Sequence, residues 1–196
     1  MKKTVAIISF AVAAFAVQAA DQTISFNNNN LGTARLVTWD STFGALSGQG
    51  VKNGTADGAS YVAQLFIKAG DGSLTAVGAT ANFRAATTTQ PGTWSGGTRT
   101  ATGVAQGTAL NLVVRVWDNS VASYDAAKAA NNKGYGESAA FAFQDPLSSP
   151  PGASDNFMVN FQGFSIKQNI VSNIPEPSTI ALGALGVAGL LFFRRK

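Results

Sequence analysis

The chain has 196 residues, a formal net charge of +4, and neither cysteine nor histidine. The missing histidine excludes His-based acid–base chemistry, Ser-His-Asp and Cys-His nucleophiles, and nearly all zinc, copper and haem sites; the missing cysteine means that no disulfide staples the fold. The sequence pI of about 9.6 comes from the chain ends: Lys2, Lys3, Arg194, Arg195 and Lys196 lie there, while residues 20–177 hold nine basic residues against ten acids, a net charge of −1. A near-neutral body excludes a nucleic-acid partner.

The first 19 residues read as a secretory signal. Lys2 and Lys3 form a positive start, and residues 5–17 are apolar apart from Ser9. Val17-Gln18-Ala19 places small residues where a signal peptidase reads, so the predicted cut lies between Ala19 and Ala20. The partner implied is signal peptidase, and the body begins outside the cytoplasm.

Residues 20–172, about 150 in all, are enough for one domain with its own core. Gly, Ala, Ser, Thr and Asn dominate, and only 12% of the whole chain is charged, a composition suited to short strands and tight turns rather than a helical bundle. Residues 23–26 and 34–39 read as strands, with Asn27 to Asn30 as a turn between them. The stretch 44–60 is Gly-rich and carries Asn53-Gly54 and Asp57-Gly58 turn pairs. A hairpin follows: Tyr61, Ala63, Leu65 and Ile67 share one face, Gly70-Asp71-Gly72 is the turn, and residues 74–77 return. A short strand over 81–84 and a loop over 87–97 around Trp94 come next, then an extended segment over 99–104.

"TALNLVVRVWD" is the strongest strand. Leu110, Leu112, Val114 and Val116 form its core face; Asn111, Val113, Arg115 and Trp117 form a half-polar face expected to be partly exposed. "SYDAAKAANNKG" predicts a helix capped by Ser123, started by Asp125 and ended at Lys133-Gly134. Residues 139–143 read as a strand and 146–152 as a Pro/Ser loop. In "NFMVNFQGFSIKQ", Phe157, Val159 and Phe161 alternate, and Gln162-Gly163 shifts the phase like a β-bulge before Phe164 and Ile166. The expected fold is all-β: an antiparallel β-sandwich, jelly-roll or immunoglobulin-like, with one short helix, a small barrel being the alternative.

The last 24 residues have three parts in order. Pro175, Glu176 and Pro177 mark an exposed, non-helical boundary. Residues 179–193 are an apolar run of 15, a helix of roughly 22 Å against a hydrocarbon core of roughly 30 Å. Arg194, Arg195 and Lys196 form a basic stop that stays cytoplasmic, which places the body outside, as the N-terminus also requires. This arrangement resembles the PEP-CTERM sorting signal of Gram-negative bacteria, over residues 173–196. The resemblance implies handling by an exosortase, a membrane enzyme, in bacteria that make exopolysaccharide, with transient residence in the inner membrane before release to the outer surface or matrix. Two alternatives are an uncut single-pass anchor pairing through Gly183, Gly186 and Gly189, and a GPI-like removable tail; the basic tip and the Pro-Glu-Pro argue against the latter. In the body, "YVAQLF", "TWSGGTRT", "VVRVWDNS" and "GYGES" are similar to a type of ectodomain found with such tails, a type without an assigned activity.

Three functional readings follow for the body. An enzyme would need a carboxylate pair or a Ser-Lys arrangement; Asp118, Asp125 and Glu137 flank one loop region, but each also has a plain role, as strand end, helix start and solvated side chain. A lectin-like carbohydrate-binding module would use Trp94, Trp117 and Tyr135, with Trp39, as flat platforms for sugar rings, provided they form one exposed patch. Asp57 and Asp71 sit in Gly turns that lack the D-x-D-x-D-G run of a calcium loop, so no metal and no cofactor is expected. The reading adopted is a non-catalytic, exported surface or extracellular-matrix protein, with exopolysaccharide as a candidate partner.

Overall fold

The computed structural model describes residues 20–29, 35–55, 58–144 and 156–170. The signal segment, the sorting motif, the 179–193 helix and the basic stop lie outside them. Among the described residues no helix is long and apolar enough to cross a membrane.

The described chain is all-β with one short α-helix and a 3-10 helix over Ser41–Leu46. Its elements are β1 (Asp21–Asn27), β2 (Val37–Trp39), β3 (Tyr61–Lys68), β4 (Leu74–Asn82), β5 (Ser95–Ala105), β6 (Leu110–Asp118), α1 (Tyr124–Ala129), β7 (Gly134–Glu137), β8 (Phe141–Phe143) and β9 (Phe164–Gln168). β1 and β5 form a two-stranded antiparallel sheet; the other strands form a seven-stranded sheet in the order β2-β9-β7-β6-β3-β4, with β8 also on β6. The β2–β9 pair is parallel, Val37 opposite Phe164, so the larger sheet is mixed rather than wholly antiparallel.

The β3–β4 hairpin forms where the alternation predicts it. Ala69 N–H donates to Ser73 O and Gly72 N–H to Ala69 O, and Gly72 has φ 87°, a conformation glycine adopts without strain. β4 runs on to Asn82 and absorbs the separate strand expected over 81–84. β6 is central: β3 pairs along one edge, and β7 and β8 share the other. The strand expected over 139–143 is shortened to β8, and Ser138 bridges the gap between β7 and β8. Its N–H donates to Val114 O, and its Oγ accepts the Val114 N–H at 3.0 Å.

The helix begins as expected, with Ser123 Oγ accepting the Ala126 N–H, but it stops at Ala129 instead of Lys133-Gly134. Gly134 belongs to β7, opposite Gln168 of β9. A Cβ there would lie 2.6 Å from the Tyr61 ring, so only glycine fits. A sheet contact, not a helix stop, selects it.

Residues 156–161 are not the strand that alternation predicts. Met158 and Phe161 are fully buried, whereas Val159 is 55% exposed. Phe157 makes only a single bridge to Ser25, and Ser25 N–H donates to Asn156 O. The segment lies beside β1 and sends side chains into the core as its path allows. The phase change at Gln162-Gly163 marks the entry to β9 rather than a bulge within it.

The main core draws on both sheets: Ile24 and Phe26 from β1, Leu65 from β3, and Leu112, Val114 and Val116 from β6. On the other face of β6, Val62, Trp117, Ala127 and Tyr135 form a second cluster, joined by the half-buried Val121 and Tyr124. The second β6 face is partly exposed, as its half-polar pattern predicts: Asn111 is exposed and Arg115 half-buried, while Val113 and Trp117 are 2% and 5% exposed. α1, which supplies Ala127, covers the Trp117 end.

Candidate functional site

The aromatic residues do not form a platform. Trp94, expected on an exposed loop, is 0% exposed. Its ring lies 5.3 Å from Phe26, 5.5 Å from Phe83 and 5.7 Å from Phe161, at tilted or edge angles. Asn28 holds it there from a distant loop: its Oδ1 accepts the Trp94 N–H and its Nδ2 donates to Gly92 O. Glycine and serine neighbours imply an exposed loop locally; the neighbouring sheet makes the site the middle of the core. Trp39 is buried too, with Tyr61 edge-on at 4.9 Å.

Trp117 and Tyr135 are directly paired across β6 and β7, and the structure does bring these two together. Both are 5% exposed, so their faces are not open to a sugar ring. Tyr135 spends its hydroxyl on Asn169 Oδ1 at 3.0 Å. Tyr124 stands edge-on to it at 5.9 Å, with the Arg115 guanidinium 4.3 Å above Tyr124. Burial, followed by the Glu137 carboxylate, raises the Tyr124 hydroxyl above its ordinary value.

The three carboxylates do not converge into an acid–base pair. Glu137 sits opposite Arg115 and forms an ion pair with it. Asp125 lies exposed in the first turn of α1. Asp118 follows Leu112, Val114 and Val116 on the core side of β6, so it and Glu137 belong to opposite faces of one sheet. Asp71 is exposed in its turn, held below the usual carboxylate range by the Ser73 backbone and side chain. Asp57 lies outside the described residues. Among the described residues, no group of three or more acids stands close enough to hold a metal ion.

What the fold does build around Asp118 is a pocket of about 360 Å³ at one end of the larger sheet. Asp118, 2% exposed, supplies a charge to its wall. Its Oδ2 lies 3.2 Å from Lys133 Nζ, and its Oδ1 accepts the Ser120 N–H at 2.8 Å. Asn119 donates its N–H to Ser60 O at 2.7 Å, tying the β6 end to the start of β3. Asn132 closes the rim with φ 56°, the one left-handed residue other than glycine among those described. Sequence reasoning missed Lys133 and Asn132 by assigning them to a helix end. It also held a usable signal: the core-facing period of β6 ends on an acid.

Residues 173–196 match the family model of the PEP-CTERM protein-sorting motif. Pro175, Glu176, Pro177, Arg194, Arg195 and Lys196 all fall within it. The motif marks an exported protein sorted through an exosortase, a membrane enzyme. No curated protein and no solved structure matches the chain.

Proposed function

We propose that the chain is a non-catalytic component of the cell surface or extracellular matrix, released to it after exosortase processing and associated there with exopolysaccharide. The observation that carries this reading is the position of the sorting motif. The motif match begins at residue 173, and the last strand, β9, ends at Gln168. A cut at Pro175-Glu176-Pro177 therefore leaves every strand among the described residues in place. The domain is read as a β-sandwich, because Ile24 and Phe26 of the small sheet share one core with Leu65, Leu112 and Val114 of the large one. A structural or interacting role is favoured over catalysis because Glu137 is paired with Arg115 and Asp118 with Lys133, on opposite faces of the sheet, and no histidine or cysteine is available.

The test is the mass of the mature protein, purified from the outer surface and medium of its own host. The expected chain begins at Ala20 and lacks Arg194, Arg195 and Lys196. Surface protein that still carries those three residues would overturn the processing step.

A further inference from the structure

We propose that the pocket at the end of β6 binds one neutral pyranose unit of a polysaccharide. The proposal deepens the exopolysaccharide association proposed above and rests on it for where the ligand is met; the pocket itself argues for the class of ligand.

Charge comes first. Asp118 and Lys133 face each other at 3.2 Å and cancel. An anion entering the pocket meets Asp118, and a metal cation meets the Lys133 ammonium. A neutral ligand meets neither penalty. Hydrogen-bonding capacity comes next. Asp118 Oδ1 accepts the Ser120 N–H and Oδ2 faces Lys133, and with 3% of its side chain exposed the carboxylate is closed to a ligand and serves to hold Lys133 in place. Lys133 keeps two of its three N–H donors. The side-chain amides of Asn119 and Asn132, also in the lining, make no hydrogen bond within the described residues. A vicinal diol answers such a set, because each hydroxyl accepts from the ammonium or an amide N–H while donating to an amide oxygen.

Size and wall chemistry agree. The volume of about 360 Å³ is near the lower end of the roughly 300–1,000 Å³ typical of ligand sites, room for one ring rather than a chain segment. Ala59 and Tyr61 give one apolar wall for the C–H face of that ring. Exposed Ser60, Asn119 and Asn132 leave the mouth open for the rest of the polymer. The ion pair itself adds little to folding, since a well-packed apolar pair holds such a place at least as well; a ligand accounts for it better.

Saturation-transfer NMR on protein purified from its host, with methyl glycosides of glucose, galactose and mannose, tests this. Glucuronate, glucosamine and calcium chloride serve as charged comparators. Asn132→Gly keeps the left-handed backbone that glycine accepts, and Asn119→Ala changes an exposed side chain, so neither should move the urea midpoint. The expected result is transfer from at least one neutral glycoside, with affinity falling about fivefold in each variant, the worth of one neutral hydrogen bond. No transfer from any neutral glycoside, undiminished binding in both variants, or preference for a charged sugar or calcium overturns the site. The mature mass, read on the same preparation, judges exosortase processing separately.

Discussion

The two faces of β6 use tryptophan differently. On the inner face, Leu112, Val114 and Val116 look into a core closed by a second sheet, with Trp94 boxed in by Phe26, Phe83 and Phe161. On the outer face, Trp117 is covered by a helix of six residues and by Tyr135, beside a Tyr124 that is only half-buried. Both indoles are hidden, yet one is enclosed by two layers and the other by a small lid. Enclosure by fixed β-structure leaves little room to relax after a deletion, while a short helix can settle into the space.

Four substitutions test that contrast, and urea unfolding measures each. Trp94→Ala should cost about 3–5 kcal/mol, a large share of the stability of a domain this size. Trp117→Ala should cost less, about 3 kcal/mol at the low end of that range, because α1 can move inward; a loss equal to that of Trp94→Ala would remove the distinction between the faces. Ser138→Ala should cost about 1–2 kcal/mol, by leaving the buried Val114 N–H without its acceptor where β7 passes to β8.

Tyr124→Phe should have the smallest effect, about 0.5 kcal/mol or less at pH 7, but it should change the alkaline limb. Burial and Glu137 raise the Tyr124 hydroxyl above 10.0. The folded state then holds this proton more tightly than the unfolded chain. The contribution is intact below the unfolded value, near pH 10, and is lost as pH rises through the raised folded value. Removing the hydroxyl should flatten that decline; an unchanged alkaline limb would show that the outer cluster does not shield Tyr124.

Much of the strand structure was legible. The β3 and β6 alternations, the Gly70-Asp71-Gly72 turn and the Ser123 cap each depend on neighbours within a few residues, and each appears in the structure. The failures share one cause. Gly134 looks like a helix stop until Tyr61 is placed against it. Residues 156–161 look like a strand until β1 takes Asn156 O and the core takes Met158 and Phe161. Trp94 looks exposed until Asn28, 66 residues away in the chain, holds its backbone in the core. For the candidate site, Asp118 was visible as the last step of the β6 period, but Lys133 reaches it only because β7 lies beside β6.

By itself, the sequence determined the sorting motif, the all-β class and the two-faced character of β6, because each is written in contiguous residues: a tripartite tail, a composition, a period of two. Tertiary structure alone decided what covers each face. It buried the tryptophans that looked like sugar platforms, separated Glu137 from Asp118 across one sheet, made β2 and β9 parallel, and brought Asp118, Lys133 and Asn132 to one pocket. Alternation distinguishes two sides of a strand, but it carries no information about which distant segment will pack against either.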